Sequence, residues 1–308
     1  MGHPDIVALG EPMIEFNQTR PGEASYQQGF GGDTTNFAIA VARQGVSSGY
    51  LTKLGNDEFG KMFMRLWQDE GVDTRGVQFD SGAHTAVYFV SHSEAGHSFN
   101  YLRAGSAASR MTPADFSPEL IINARFLHVS GISQAISATA CDAVFAAIEQ
   151  ARKAGVAVSY DPNLRLKLWP LPRATAIIRA TISLCDYFLP SIDDARVFSG
   201  CEDEDAVLDW CFAAGAKNVL LKLGKEGVIV ATASHRSRIP GFTVNAVDAT
   251  GAGDCFGGAL VARLSRGDEL LGAARYANAA AALTTTGYGA IAPIPHAEQV
   301  LALLKENG

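Results

Sequence analysis

The chain has 308 residues, of which 47% are hydrophobic and 19% are charged, and its formal net charge is −7. This composition excludes a largely disordered chain, and the negative charge argues against a surface that binds nucleic acid through its phosphates. No apolar run is long enough to span a membrane and the five cysteines contain no CxxC pair, so we expect a cytoplasmic protein with reduced thiols.

Short apolar runs alternate with amphipathic stretches along the chain. The predicted strands are Ile6–Leu9, Tyr50–Leu54, Phe126–Ser130, Val156–Tyr160, Tyr187–Leu189, Val219–Leu223 and Val228–Ala231. The predicted helices lie near 34–44, 57–70, 135–154, 172–183 and 203–214. This alternation predicts βαβ crossovers, and therefore an α/β fold with a mostly parallel sheet covered on both faces.

Two segments do not follow this alternation of strands and helices. Residues 12–30 have no helical period, and residues 84–103 read as a hairpin with strands Thr85–His92 and His97–Arg103 around a Ser93–Gly96 turn. We expect one domain over residues 1–308 in which both segments form a small β lid over the carboxyl edge of the sheet. The alternative is an edge hairpin that does not move.

The run Asp248–Asp254 precedes a helical pattern that ends at Gly267. Glycines at 251 and 253 leave backbone N–H groups free to approach phosphate oxygens at the start of a helix. The positive end of the helix dipole should keep Asp254 ionised and able to accept a proton. The alternative interpretation is that both aspartates are only turn or cap residues.

A second glycine cluster, Gly29–Asn36, also precedes a helix. Its glycines allow close approach to a polyhydroxy ligand, and the side chains of Asp33 and Asn36 offer acceptors and donors. A capping role for Asp33 or Thr34 is compatible with this. The cluster does not follow the first strand, so it is not the dinucleotide fingerprint.

The two glycine motifs, in this order and spacing, resemble those of the ribokinase-like (PfkB) carbohydrate kinases over essentially the whole chain. The resemblance implies a three-layer α/β/α sandwich with a β lid, and phosphorylation of a hydroxyl group by ATP with Mg²⁺. By match to the family motif, Asp254 is the general base. Gly251, Ala252 and Gly253 then form the anion hole over the transferring phosphoryl group, and Gly32 lies against the sugar.

One face of the predicted hairpin carries Tyr88, Tyr101 and Arg103, since residues two apart share a face and Tyr88 lies opposite Tyr101. Arg165 follows a strand end and offers a second cation. Aromatic rings and guanidinium groups suit a sugar and a carboxylate. The set is similar to that of 2-keto-3-deoxygluconate kinases, which makes this sugar acid the expected substrate. Separately, each Arg could be a solvated surface residue and each Tyr a packing residue.

The same resemblance implies which residues bind ATP and Mg²⁺. The loop from Lys222 through Gly224 to Gly227 is similar to the family's loop under the ATP phosphates, although Lys222 could also be a solvated strand-end lysine. Asn278 falls where the family places a helix beside adenine. The usual Asn-x-x-Glu motif for Mg²⁺ is here Ser191 to Asp194, so Asp194 would replace the Glu as a metal ligand through water.

Two alternatives and one further expectation complete the sequence analysis. A neutral-sugar kinase, such as a fructokinase, would use the same fold and the same base. A sugar-binding or regulatory protein would keep the fold without the chemistry, but it would have no need of Asp254. An exposed lid sheet favours a homodimer.

Overall fold

A nine-stranded sheet forms the centre of the computed structural model, which describes residues 2–93 and 96–307. The strands, in chain order, are β1 (Ile6–Leu9), β2 (Met13–Gln18), β3 (Tyr26–Gly31), β4 (Ser48–Gly55), β5 (Val77–Asp80), β6 (Ala86–Ser93), β7 (Gly96–Leu102), β8 (Phe126–Ser130), β9 (Ala157–Asp161), β10 (Tyr187–Phe188), β11 (Asn218–Lys222), β12 (Val228–Thr232) and β13 (Arg236–Ile239). The central sheet has the order β13-β12-β11-β10-β9-β8-β1-β4-β5. Only the β11–β12 and β12–β13 pairs within it are antiparallel. The predicted α/β class with a mostly parallel sheet is confirmed.

Eleven α-helices accompany the sheets within the described residues. They are α1 (Asp33–Arg43), α2 (Glu58–Asp69), α3 (Pro118–Ile122), α4 (Gly131–Ala135), α5 (Ala138–Lys153), α6 (Leu171–Ile182), α7 (Ile192–Ser199), α8 (Glu204–Ala213), α9 (Ala252–Ser265), α10 (Leu270–Thr284) and α11 (Ala297–Glu306). Two large clusters of buried apolar side chains pack between the helices and the central sheet. No helix in the described part of the chain has the length and apolar character needed to cross a lipid bilayer.

The sequence located the predicted strands of the central sheet to within about two residues. Helices α3, α4, α7, α10 and α11 and the strands β5 and β13 were not among the predicted elements. Strand β13 alternates exposed Arg236 and Arg238 with less exposed neighbours, a pattern that carries little apolar signal. Helix α7 has eight residues, too few for a clear helical period.

The remaining four strands form a separate lid sheet in the order β3-β2-β6-β7. Strands β6 and β7 pair so that Tyr88 lies opposite Tyr101, which confirms the predicted register. The turn residues Glu94 and Ala95 of the predicted hairpin lie outside the described residues. Strands β2 and β3 account for the segment without helical period at residues 12–30.

Close packing of α1 against α9 brings the two glycine motifs together. A Cβ on Gly258 would lie 2.7 Å from Cβ of Ala40 and 2.7 Å from the carbonyl oxygen of Phe37. Glycine at 258 therefore lets the two helices approach at a distance that a side chain would prevent. As a result, the N-termini of α1 and α9 lie beside each other under the lid sheet.

Candidate active site

The N-terminus of α9 carries the motif that predicted phosphate binding. Its N-cap, Gly251, has φ of +77°, and a Cβ there would lie 2.7 Å from the carbonyl oxygen of Ala290. The carboxylate of Asp248 holds the turn by accepting hydrogen bonds from the Thr250 and Gly289 N–H groups, each at 2.9 Å. Within the described residues no side chain caps α9, but the Ala252 N–H donates to the Ala249 carbonyl at 3.2 Å. The N–H groups that follow it in the first turn are the predicted donors to an anion.

Asp254 lies in the first turn of α9 and faces α1. Its Oδ2 accepts a hydrogen bond from Nδ2 of Asn36 at 2.8 Å. Burial raises the pKa of Asp254 well above its ordinary value, and the charge of Asp33 raises it further. The Asn36 hydrogen bond and the Lys222 charge oppose this shift in pKa without cancelling it. A carboxyl group in this state can act as a general base at neutral to alkaline pH.

Gly32 and Asp33 join the lid sheet to α1. Gly32 has φ of +111°, and a Cβ there would lie 2.5 Å from the carbonyl oxygen of Glu11, so no other residue fits without strain. Asp33 accepts hydrogen bonds from the Thr34 N–H at 2.8 Å and from Nδ2 of Asn163 at 3.1 Å. Burial raises the pKa of Asp33 against the effect of these hydrogen bonds. The N-cap of α1 is Gly32 and no described side chain caps the helix, so the capping role expected for Asp33 or Thr34 is wrong. The ligand role of Asp33 stays a prediction.

The lid contributes aromatic rings on the face that the sequence predicted. The rings of Tyr88 and Tyr101 have centroids 5.9 Å apart. The hydroxyl of Tyr88 donates a hydrogen bond to the carboxylate of Glu15, and burial together with the Glu15 charge raises the pKa of Tyr88. Arg103 lies with its guanidinium carbon 5.7 Å from the centroid of the Tyr101 ring. The three predicted side chains of the hairpin are thus together.

Arg103 differs from its expected state in one respect. Its Nη2 pairs with the carboxylate of Glu11, which is 1% exposed, and Arg103 itself is 8% exposed. Oγ of Ser106 donates to the other Glu11 oxygen at 2.5 Å. Glu11 thus matches the charge of this guanidinium, and a contact of Arg103 with a substrate carboxylate, which stays a prediction, would have to share it with Glu11. Nε of Arg103 is buried without a hydrogen-bond partner among the described residues.

Lys222, at the end of β11, faces the glycine turn. Its Nζ donates to Oδ2 of Asp161 at 2.5 Å, and it lies 3.3 Å from the position that a Cβ at Gly253 would occupy. The side chain of Lys222 is only 14% exposed, so the interpretation as a solvated strand-end lysine is wrong. Its ammonium group lies beside the predicted anion hole.

Ser191 and Asp194 begin α7 close to Arg165. Oγ of Ser191 caps the helix by accepting the Asp194 N–H at 3.2 Å, and one Asp194 oxygen accepts the Leu164 N–H at 3.0 Å. Burial raises the pKa of Asp194, and the charges of Arg165 and Lys222 lower it in part. Arg165 is exposed, and its Nη1 donates to the Leu164 carbonyl at 2.8 Å.

The remaining predicted nucleotide residues have structural partners. A Cβ on Gly227 would lie 2.1 Å from the carbonyl oxygen of Ile239, so the glycine at 227 serves the contact with β13. The amide of Asn278 donates to the Pro240 carbonyl at 2.8 Å and ties α10 to the loop after β13. Gly224 has φ of +60° and open space at its Cβ position, and it remains the glycine of this loop with room for a ligand.

Sequence reasoning missed four polar residues that the fold brings to this edge of the sheet: Glu11, Glu15, Asp161 and Asn163. Each of these residues lies in or next to a segment that the sequence analysis discussed. The hydrogen-bond partner of each, however, is distant in the sequence. His128 was interpreted as a core histidine, and it is: its ring stacks on Phe37 with centroids 3.7 Å apart. Burial lowers the pKa of His128 to about 3.

Comparisons with known proteins agree with this arrangement. Residues 3–297 match the family model described as pfkB family carbohydrate kinase. The chain is 36% identical to Fructokinase-2 of Solanum lycopersicum over 321 residues, which cover 97% of this chain and 96% of that protein. It is also 36% identical to Fructokinase-1 of Zea mays, with 98% of each chain covered.

Solved structures show the same fold. Fructokinase from Vibrio cholerae O395, with fructose, ADP and calcium ion bound, superposes with a TM-score of 0.88 at 29% identity, covering 97% of this chain and 99% of that one. Fructokinase from Xylella fastidiosa with bound ATP gives a TM-score of 0.90 at 26% identity and 99% coverage of both chains. The ribokinase-like fold with its lid sheet is therefore established, and the chain belongs to the pfkB family of carbohydrate kinases.

Proposed function

We propose that this carbohydrate kinase transfers the γ-phosphoryl group of ATP to the terminal hydroxyl of a neutral six-carbon ketose, with fructose as the first candidate. The observation that carries the choice of a neutral sugar is the buried contact between Arg103 and Glu11. A guanidinium whose charge is matched in this way offers N–H donors to hydroxyl groups, but little net attraction to a carboxylate.

The carboxyl groups on the sugar side support the same choice. Asp33 and Asp254 lie in the first turns of α1 and α9, and Glu15 lies behind Tyr88. Oxygens of these groups can accept hydrogen bonds from sugar hydroxyls. The names of the plant relatives and of the two superposed structures agree with this class.

Two buried polar atoms without partners mark where sugar hydroxyls would bind. Oδ1 of Asn36 and Nε of Arg103 have no hydrogen-bond partner among the described residues, although each belongs to a side chain that is otherwise engaged. Unsatisfied buried groups are costly and are uncommon unless a ligand or water satisfies them. We assign the Asn36 oxygen as an acceptor and the Arg103 nitrogen as a donor for the ketose.

In the proposed reaction, Asp254 accepts the proton of the attacking hydroxyl. Its contact with Asn36 holds the carboxylate in the required orientation, and its raised pKa favours proton uptake. The Gly253 N–H, in the first turn of α9, faces the negative charge on the transferring group. The Ala252 N–H joins it only by leaving the Ala249 carbonyl. Lys222 adds a positive charge at the same place.

ATP and Mg²⁺ are the co-substrate and metal of the proposal. The described residues contain no group of three or more His, Cys, Asp or Glu side chains that could hold a metal by themselves. This fits Mg²⁺ that is bound mainly through substrate phosphates, with Asp194 as a carboxylate ligand through water. When bound, the ion neutralises charge on the phosphates. Gly224 is assigned to the phosphate loop, and the segment around Asn278 to the adenine side.

A second candidate substrate is 2-keto-3-deoxygluconate. The paired rings of Tyr88 and Tyr101 favour it, together with the exposed guanidinium of Arg165 beyond the end of β9. Arg165 lies near Asp194, but among the described residues its guanidinium hydrogen-bonds to the neighbouring Leu164 carbonyl and not to that carboxylate. It could therefore turn toward a carboxylate, as Arg103 cannot without leaving Glu11.

A substrate panel with ATP separates these candidates. ADP release should be fastest with fructose, with kcat/KM at least tenfold above that for 2-keto-3-deoxygluconate and for ribose. A higher kcat/KM for the sugar acid would reject the neutral-sugar proposal and support the second candidate. No turnover with any sugar, in a chain that binds ATP, would reject the kinase proposal itself.

The variant Arg165→Ala refines the panel. If fructose is the substrate, we expect a change in KM of less than about threefold, because a neutral sugar gains little from that cation. If the sugar acid is the substrate, loss of the guanidinium should raise its KM by about tenfold or more. Arg110→Ala, which removes an exposed arginine near Asp80, serves as the matched control.

A further inference from the structure

Asp161 and Lys222 form a buried ion pair at the edge of the sheet where the anion hole lies. Nζ of Lys222 donates to Oδ2 of Asp161 at 2.5 Å, and the two side chains are 14% and 9% exposed. The same Nζ is 3.3 Å from the position that a Cβ at Gly253 would occupy. The ammonium group therefore lies between a carboxylate and the backbone turn to which we assign the phosphoryl group.

Other contacts fix Asp161 in place. Its Oδ1 accepts the Asn163 N–H at 3.0 Å. Asn163 has φ of +34°, in the left-handed region that asparagine tolerates better than most residues. The amide of Asn163 then donates to Oδ2 of Asp33 at 3.1 Å. A continuous set of hydrogen bonds thus joins Lys222, on the phosphate side, to Asp33, on the sugar side.

We infer that Asp161 is a positioning residue for phosphoryl transfer, which holds Lys222 beside the anion hole and competes with ATP for its ammonium group. This inference rests on the proposed kinase function. A phosphate oxygen that binds Lys222 in the ground state must share the cation with Asp161, and ATP binding is weakened accordingly. A cation already in place then stabilises the charge that develops during transfer.

Asp161 also acts on the general base through its charge. The titratable groups that face Asp254 are Asp33 on α1, Asp161 on β9, Lys222 on β11, Tyr88 on the lid and the adjacent Cys255. Burial is the largest cause of the raised pKa of Asp254. The charges of Asp33 and Asp161 raise this pKa further, and the charge of Lys222 lowers it. Removal of the Asp161 charge should therefore lower the pKa of Asp254.

The test uses Asp161→Asn in the full chain. We expect kcat to fall about tenfold because Lys222 is no longer held, and KM for ATP to fall about threefold because its ammonium group is free to bind phosphate. The acidic limb of the pH profile of kcat/KM should move to lower pH, because the pKa of Asp254 is lowered. Asp161→Glu, which retains the charge, should restore the limb to its wild-type position.

The chain offers a matched control at the other end of the same strand. Nζ of Lys217, just before β11, donates to Oδ1 of Asp186 at 2.6 Å. Asp186→Asn removes an Asp–Lys contact that is more exposed and lies away from the site. It should leave kcat, KM for ATP and the pH profile unchanged.

A purely structural role for Asp161 predicts a different result. In that case Asp161→Asn would raise KM for ATP while lowering kcat, with no shift of the acidic limb, and this outcome overturns the inference. Calorimetric titration with ATP in the absence of sugar tests the role of Asp161 separately from the proposed sugar kinase function. Tighter ATP binding by Asp161→Asn supports the role of Asp161 even if no sugar is phosphorylated, and weaker binding rejects it.

Discussion

Asn36 and Asp254 are 218 residues apart in the sequence and are joined by a 2.8 Å hydrogen bond. Each lies in the first turn of its helix, α1 or α9, and each belongs to one of the two glycine motifs. The contact places an amide that can bind a sugar hydroxyl next to the carboxylate that would deprotonate one. In the proposed reaction, this one pair of side chains would organise both substrate binding and proton transfer.

The first prediction concerns the base. Asp254→Asn should lower kcat by at least about 100-fold, because an amide cannot accept the hydroxyl proton. ATP affinity, measured by calorimetry, should stay within about threefold of wild type. Asp268→Asn, which removes the partner of Arg263 just past the other end of α9, is the control and should remain active. Wild-type turnover in Asp254→Asn would exclude the proposed mechanism.

The pH dependence of turnover provides a second test. Asp254 accepts a proton only when ionised, and burial with the Asp33 charge raises its pKa. We therefore expect kcat/KM to fall as the pH is lowered through that raised pKa, at a pH above the ordinary aspartate value of about 4. Asn36→Ala removes a hydrogen bond that lowers the pKa of Asp254, so its acidic limb should lie at higher pH than in the wild type. A limb that does not move in this variant would argue against Asp254 as its origin.

A third prediction separates the structural role of Arg103 from any role in binding. Arg103→Ala leaves the carboxylate of Glu11 buried and unpaired, so it should lower the free energy of unfolding by about 3 kcal/mol. Urea denaturation measures this loss. The double variant Arg103→Met with Glu11→Gln should recover most of it, since neither charge remains buried.

The exposed pair of Arg75 and Asp73 supplies the control for this experiment. Arg75→Ala should cost far less than Arg103→Ala, because solvent screens the pair. Arg103→Ala is consequently a poor probe of substrate charge, which is why the substrate test above uses Arg165. Equal losses in Arg75→Ala and Arg103→Ala would contradict the burial argument.

The fourth prediction concerns the junction between the lid and α1. Gly32→Ala places a Cβ 2.5 Å from the Glu11 carbonyl oxygen at a φ of +111°. It should lower the free energy of unfolding by about 2 kcal/mol and raise KM for the sugar. Gly272→Ala, at an open position within α10, should instead stabilise the chain by up to about 1 kcal/mol. A tolerated Gly32→Ala would show that the junction relaxes easily.

The fifth prediction tests whether the lid closes. Addition of sugar should slow hydrogen exchange in residues 84–103, which contain β6 and β7, because Tyr88 and Tyr101 would then be covered by ligand. Amides of β12, in the central sheet, should not change. Unchanged exchange in the hairpin would support the alternative of an edge hairpin that does not move.

The sequence predicted the parallel strands well because each is a short, buried apolar run between helical patterns. It predicted the pairing of Tyr88 with Tyr101 because hairpin register follows from turn length. The partner of Arg103 could not be predicted in the same way. Glu11 lies 92 residues away, in a loop after β1, and nothing in its local pattern indicates burial. Long-range charge pairing depends on which loops share an edge of the sheet.

The same limit applies on the nucleotide side. Motif matching singled out Gly227 and Asn278, but their contacts with Ile239 and Pro240 depend on the antiparallel β12–β13 edge, which the sequence did not predict completely. In the sequence, Asp161 and Asn163 are only neighbours of Arg165. The contact of Asp161 with Lys222 depends on the order of the sheet, in which β9 and β11 lie two strands apart.

Gly32 is the only residue between the last residue of β3 and the first residue of α1. Because the connection is so short, a rotation of β3 would also change the orientation of α1. The first turn of that helix carries Asp33 and Asn36, and Asn36 contacts the base. A change in the tilt of the lid would therefore reach the proposed base through Gly32 and the first turn of α1.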